Sequence, residues 1–365
     1  MRGSLASRPV AISIAAFFAG AALSLAGGGP PSYTAQFLTP GLSAVNAAGM
    51  NESGDVVGTS TTGTGAWVSH GGAPAELLPL PPGAAFAFAN EINDAGVIVG
   101  SAGFAYPGYG FATAWLPDGA GGYTIQQFGT LAGDIYSDAI AVNNAGDIVG
   151  YSRDGMFRHP VLFSSPGGIQ DLSPTGVSDP SAINEERVLV DHSNPTQRLD
   201  LDTMDVEELD SPGSGYNSSW AEAINESGQV AGFVINTSSG NCLSHAARYT
   251  DGVGWEVLSG CGQSNSVRSM NDFGDVVMQL NVAPYVRFQG IGTFLVEDLI
   301  VAEVGHWFVI NGSGLTINNA RQIAVPATNP DTGQSGIVLL TPIALVVFAD
   351  GYESGDASAW TISVP

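Results

Sequence analysis

Short apolar runs, broken at regular intervals by small polar turns, set the rhythm of this chain. Residues 139–150 read Ala-Ile-Ala-Val-Asn-Asn-Ala-Gly-Asp-Ile-Val-Gly, two such runs around Asn143-Asn144-Ala145-Gly146. Asn at the first position and Gly at the fourth fit a type I turn closed by a left-handed residue, the connection of a tight hairpin. The asparagine side chain can hydrogen-bond the backbone two residues on. The glycine avoids a left-handed penalty of roughly 1–2 kcal/mol. The segment is therefore predicted to be two antiparallel strands joined by a turn.

The module recurs. Its copies begin at Asn51 with Gly54, Asn93 with Gly96, Asn143 with Gly146, Asn184, Asn225 with Gly228, Asn271 with Gly274, and Asn318. The asparagines are spaced by 42, 50, 41, 41, 46 and 47 residues, read directly from their positions. That period matches a four-stranded propeller blade. Solenoid repeats of similar length are helical, whereas these segments alternate with period 2 and carry Val, Ile and Gly. Two copies depart from the pattern: Arg187 and Arg321 stand at the glycine position. Either those turns have another geometry or arginine bears the left-handed strain there.

Two more strands follow each module. The third is rich in Ala, Arg and aromatics, as in residues 112–116 (Ala-Thr-Ala-Trp-Leu) and 246–249 (Ala-Ala-Arg-Tyr). The fourth ends on an apolar residue, as in 123–128 and 255–258. Only six copies of the fourth strand follow a module; a seventh, residues 33–38 (Tyr-Thr-Ala-Gln-Phe-Leu), precedes the first. The expectation is an all-β, seven-bladed propeller over residues 33–342, closed by its N-terminal strand, with both ends of the chain sharing one blade.

Composition narrows the function. The 49 glycines and the 12% of charged residues suit an all-β chain with many tight turns. All ten basic residues are arginine, so lysine Schiff-base, general-base and phosphate-loop chemistry are absent. A net charge of −24 opposes binding to nucleic acid or to anionic lipid. Residues 1–26 read as a secretory signal: Arg2 and Arg8, a 17-residue apolar run from Val10 to Ala26, and Ser24-Leu25-Ala26 before a Gly/Pro spacer at 27–32. An uncleaved anchor is the alternative. After cleavage no membrane span remains, and a monomeric protein, secreted, surface-bound or periplasmic, is expected. In such a compartment Cys242 and Cys261 are expected to pair as a disulfide. If Asp251-Gly252 makes a two-residue hairpin, opposed residues sum to 503, as the two cysteines do.

These modules, Ala-x-x-Ile-Asn-x-x-Gly-x-Val-Val-Gly followed by an Ala/Trp strand, resemble the HAF family of bacterial extracellular repeat proteins. The resemblance covers most of residues 40–340. It implies export and a propeller-like fold, and it brings no catalytic residues. Residues 348–360, Phe-Ala-Asp-Gly-Tyr-Glu-Ser-Gly-Asp-Ala-Ser-Ala-Trp, resemble the Asp-Gly-Phe-Glu-Ser-Gly-Asp endings of various exported bacterial proteins. The tail, 343–365, is then a sorting tail, an extra strand, or the remnant of a lost domain.

Chemistry is sparse. His70, His159, His192, His245 and His306 fall into no metal-ligand spacing. Asp200 and Asp202, alternating on one strand face, with Asp205, are the weak candidates for calcium, although an EF-type loop is not formed. There is no Gly-x-Ser-x-Gly elbow and no strand-to-helix glycine fingerprint. No cofactor is expected. Tyr106, Tyr109, Tyr136, Tyr216, Trp220 and Trp307 lie in or beside loops, where they would either stack on a ligand or pack blade edges. The expected function is a secreted, non-catalytic binding module whose extracellular ligand is a polysaccharide or a protein. The alternative is a carbohydrate-active hydrolase or lyase with its site on the propeller axis. A module needed once per blade builds the blade; a site is expected where the copies differ, in the connection between Gly100 and Ala112, in the fifth blade, or before Trp307.

Overall fold

The protein, seen in a computed structural model, is described from residue 30 to 343, except for 44, 61–64, 106–108, 165–166, 211, 214, 237–243, 261–264, 282, 302–306 and 311–313. Each module folds as the inner two strands of an antiparallel sheet, and seven such sheets form a ring. Blades one to six span 45–77, 86–127, 136–171, 180–208, 218–257 and 265–295, and each has four strands in chain order. The seventh runs inward from Tyr33–Phe37 through Gln334–Pro342 to Ile323–Asn329. Its inner strand is broken into Phe308–Val309 and Thr316–Ile317, both paired with Ile323–Asn329.

The expected closure is present. Tyr33 faces Pro342 and Phe37 faces Val338 in an antiparallel ladder. The Leu38 amide continues it to the Ile337 carbonyl at 2.9 Å. Tyr33 and Leu38 are fully buried. The N-terminal strand thus covers an edge that would otherwise present unpaired backbone groups.

The core lies between blades rather than within one central mass. Seven apolar clusters occur among the described residues, one at each blade junction. At the first junction Val57 and Val68 meet Ala89, Ile98 and Trp115. At the seam Leu38 and Ile337 meet Ala47, Val56 and Trp67. Small residues on inner strands and large ones on third strands let the sheets nest at the close spacing packed interiors require.

Each of the first six inner strands is bulged three residues before its asparagine, as at Ile140, between Ala139 and Ala141, and at Ser181, between Pro180 and Ala182. The bulge brings inner-strand carbonyls hard against the second strand. A Cβ on Gly150 would sit 2.1 Å from the Asp138 carbonyl oxygen, which explains the glycine that ends the module. Blade four has Asp191 there. Its inner strand begins only at Pro180, and the buried Asp191 carboxylate accepts the amides of Ser178 (3.0 Å) and Asp179 (2.6 Å).

Two local expectations need correction. The hairpin at Asp251-Gly252 has a three-residue loop: Thr250 faces Gly254, so opposed residues sum to 504, not 503. The extra residue is Val253, whose amide bonds the Thr250 carbonyl at 3.0 Å beside left-handed Gly252 and Gly254. Cys242 and Cys261 lie outside the described residues. Asp202 is not on a strand face with Asp200: the strand ends at Asp200, and its carboxylate accepts the amides of Asp202 and Thr203 in the turn that follows.

A chain lacking residues 33–38 should lose the cooperative transition of the mature protein or melt many degrees lower, because an outer strand and two fully buried side chains go with it. Thermal unfolding followed by circular dichroism measures this; an unchanged midpoint would show that the ring closes without that strand.

Candidate functional site

The turn asparagines do more than form turns. Asn143 Oδ1 accepts the amide of Asp147, four residues on, at 2.8 Å. One Nδ2 hydrogen goes to the Asp147 carboxylate at 3.0 Å, and the other crosses to the next blade, to the Asn184 carbonyl, at 3.1 Å. The crossing repeats around the ring: Asn51 to Asn93 (3.2 Å), Asn93 to Asn143 (2.9 Å), Asn184 to Asn225 (3.2 Å), Asn225 to Asn271 (3.2 Å) and Asn271 to Asn318 (3.1 Å). Asn318 closes it on the Asn51 carbonyl at 3.2 Å. The sequence pointed to a bond two residues on, which occurs at Ser53 and Phe273, both at 3.1 Å. The bond to the next blade could not be inferred from local turn chemistry.

Arg187 and Arg321 take the left-handed position at φ 61° and 60°, so those turns keep the common geometry. Each arginine reaches back to the aspartate of the preceding blade. Arg187 pairs with Asp147, and Arg321 Nε lies 2.7 Å from the fully buried Asp275. Arg321 also lies over the rings of Phe288 and Phe273, at 5.3 and 5.5 Å. A charge-assisted bond in a partly dry setting offsets the left-handed cost.

A second ring lies one residue further along each turn. The backbone amide of that residue donates to the side chain of its counterpart in the next blade: Glu52 to Asp94 (2.9 Å), Asp94 to Asn144 (2.7 Å), Asn144 to Glu185 (2.8 Å) and Glu185 to Glu226 (3.0 Å). The round continues from Glu226 to Asp272 (3.0 Å), Asp272 to Asn319 (2.8 Å) and Asn319 to Glu52 (3.0 Å). Asn144 and Asn319 also donate Nδ2 to Asp94 (2.8 Å) and Asp272 (2.6 Å). Its signal was present in the sequence: the residue after the turn asparagine is acidic or Asn in all seven copies. Five carboxylates at one mouth repel one another. Glu52 and Glu226, each with an exposed edge, are pushed up from 4.5 to about 7, by desolvation first. The Asn319 and Glu185 amides oppose the rise, and neighbouring carboxylates add to it.

An axial cavity of about 500 Å³ is lined by this ring and by the inner-strand residues next to it. The bulge positions face it and differ from blade to blade, with Asn90, Ile140, Ser181, Glu222 and Arg268 among them. The distinct chemistry collects towards the face opposite the turns. His192 Nδ1 lies 2.9 Å from the Ala221 carbonyl and 3.5 Å from Glu222. Burial raises the Glu222 carboxyl, and His192 and Arg268 partly offset that rise. Arg158 pairs with Asp179 at 2.8 Å and stands over the Tyr151 ring at 4.6 Å. A separate cavity of about 390 Å³ opens between blades two and three, lined by Phe86, Phe88, Tyr136, Asp138, Tyr151 and Arg153.

The remaining candidates disperse. His70 faces Asp55 at 3.4 Å, and His159 bonds Asp134 at 2.9 Å, which raises its pKa. His159 and His245 occupy third strands of blades three and five. Trp307 stacks on Phe37 inside the seventh blade (5.5 Å), Trp220 stacks on Phe233 (5.3 Å), and Tyr216 meets His245 edge-on (5.3 Å). Tyr136 lines the cavity between blades two and three. Asp202 pairs with Arg187 at 2.9 Å. Among the described residues no group of three or more His, Cys, Asp or Glu is arranged to hold a metal. His306, Tyr106, the Tyr109 side chain, the signal and the tail beyond 343 lie outside the described residues.

No family profile matches the chain, and no curated protein is similar to it in sequence. Solved structures are similar in fold. A streptogramin B lyase matches with a TM-score of 0.54 at 11% identity, over 86% of this chain and 98% of that one. A catalytically inactive variant of virginiamycin B lyase from Staphylococcus aureus, with quinupristin, matches at 0.53 and 12% identity, over 85% and 100%. The extracellular domain of a hybrid two-component system from B. thetaiotaomicron matches at 0.50 and 11% identity, over 85% of this chain and 40% of that one. The chain is a seven-bladed β-propeller. At these identities the likeness is one of fold.

Two measurements test this construction. Asn143→Ala removes the bond to Asn184 and leaves a buried carbonyl unpaired, so it should cost about 2 kcal/mol or more in urea unfolding, against less than about 1 kcal/mol for Asn144→Ala at the exposed second ring. Equal costs would deny the inter-blade bond its weight. The raised carboxyls of Glu52 and Glu226 bind protons more tightly folded than unfolded. Their contribution is full below pH 4.5 and is lost as the pH rises through about 7. The melting temperature should fall between pH 5 and 8, and a Glu52→Gln, Glu226→Gln double variant should flatten that slope; an unchanged slope would place its origin elsewhere.

Proposed function

We propose that this propeller is an exported, non-catalytic module that binds an extracellular ligand, a polysaccharide or a protein, on the face opposite its asparagine turns. The observation that carries this reading is how the polar groups are distributed. Those that recur in every blade are consumed in bonds to the next blade, whereas the face away from the turns gathers groups that occur once. Those groups are the aromatic rings, Asp138 and Arg153 of the cavity between blades two and three and, on the inner strands at the axial cavity, Glu222 and Arg268, a composition common at binding surfaces. The secretory signal, the HAF-like repeats and the fold shared with the extracellular domain of a B. thetaiotaomicron two-component system support export and recognition.

The enzyme reading rests on one feature. Glu222, held at the axis between His192 and Arg268 with its carboxyl raised, is equipped to exchange a proton. Two of the similar folds belong to lyases.

The mature protein should retain components of polysaccharide and peptide arrays, and the retained ligand should be recovered unchanged by mass spectrometry. Turnover abolished by Glu222→Gln would overturn the non-catalytic reading in favour of an axial hydrolase or lyase.

A further inference from the structure

The cavity between blades two and three brings aromatic rings, a carboxylate and an arginine together. Phe88 forms one wall, backed by the buried Phe86, their ring centroids 5.3 Å apart. Tyr136 forms another, with the Arg153 guanidinium 4.9 Å above its ring. At the base the Asp138 carboxylate accepts Nδ2 of Asn90 at 2.9 Å and the Tyr151 hydroxyl at 3.3 Å. Tyr151 is thereby fixed as a donor towards Asp138, and its oxygen keeps an acceptor lone pair for a bond from elsewhere.

Arg153 is the unexplained group. In a chain with 34 acids and ten arginines, a carboxylate partner is the ordinary state of an arginine. Arg158, Arg187, Arg198, Arg248, Arg287 and Arg321 each have one. Arg268 bonds Gln279. Arg153 has neither a carboxylate nor a hydrogen-bonded side-chain partner among the described residues, and it lines the cavity. A guanidinium on a cavity wall without a counter-charge is a seat for an anionic group.

We propose that this cavity binds a uronate-bearing sugar, its carboxylate forked by Arg153, its ring face packed on the aromatic walls and a hydroxyl donated to Tyr151. The guanidinium fork matches a carboxylate. Aromatic faces match the apolar C–H face of a pyranose ring. The net charge of −24 repels a dense polyanion, so the ligand is a sparsely charged glycan with isolated uronate residues rather than a polyuronate. This inference rests on the binding-module reading and names its ligand class. The cavity adjoins the connection between Gly100 and Ala112, the first of the places where the copies differ.

Calorimetric titration of the mature protein with a glucuronate-containing trisaccharide, with the same trisaccharide after carboxyl reduction, and with a short Glu-rich peptide tests it. The uronate form should bind at least about tenfold more tightly than the reduced form, the range of one charge-assisted pair. Arg153→Gln should abolish that preference while leaving the melting temperature unchanged. Arg153→Lys, which keeps the charge without the fork, should retain part of it and stands in should the Gln variant fail to fold. Equal affinity for the two trisaccharides, or a preference that survives Arg153→Gln, would overturn the assignment. Tighter binding of the peptide would overturn the sugar class and leave the binding module standing. Release of a cleaved product would instead sink the binding-module reading itself.

Discussion

One side-chain hydrogen atom per blade holds this ring in register. The second Nδ2 hydrogen of each turn asparagine is spent on the carbonyl of the next asparagine, and the seventh bond returns to the first. Such bonds lie in buried surroundings where an unpaired carbonyl is costly. A linear array of repeats needs terminal caps because its end faces are apolar. A closed ring has no end face, provided the seam matches every other junction. Here it does: the outer strand of the seventh blade comes from the N-terminus, and Asn318 reaches Asn51 as Asn51 reaches Asn93.

The departures from the repeat are local exchanges of one physical term for another. Arginine replaces the left-handed glycine in two turns, and both times the preceding blade offers an aspartate to meet it. Where Asp191 replaces the close-approach glycine, the inner strand starts later and the carboxylate takes over the amides left behind. These are substitutions a repeat tolerates because each blade junction is stabilised by its own cluster and its own pair of inter-blade bonds.

A ring built this way divides its surface. The turn face is crowded with carboxylates that are hydrogen-bonded to one another's backbone, and its chemistry is tied to the architecture. The opposite face carries the loops, and loops there vary without disturbing the ring. Glu222 with His192, and Arg153 with Tyr136, occur once each, so closure of the ring does not explain them.

Period and turn chemistry were enough to read blade number, strand order and the closing strand, because a hairpin's pattern is local and its repetition is countable. The arginine turns were legible as exceptions but not as ion pairs, since Asp147 and Asp275 lie in the preceding blades. The hairpin register at Asp251-Gly252 was off by one residue, because loop length at Asp251–Val253 is decided by backbone conformation rather than residue type. The acidic ring was visible letter by letter and had no meaning until seven turns were brought round one axis. The same holds for the cavity between blades two and three: Phe86, Asp138 and Arg153 belong to separate strands, and only the ring's curvature sets them round one space. The sequence by itself determined what each blade is, since a strand's alternation and a turn's geometry depend on near neighbours. Only the tertiary structure decided which groups meet across blades, because those contacts join separate blades, from Arg158 and Asp179, 21 positions apart, to Asn318 and Asn51, 267 apart, through closure of the whole ring.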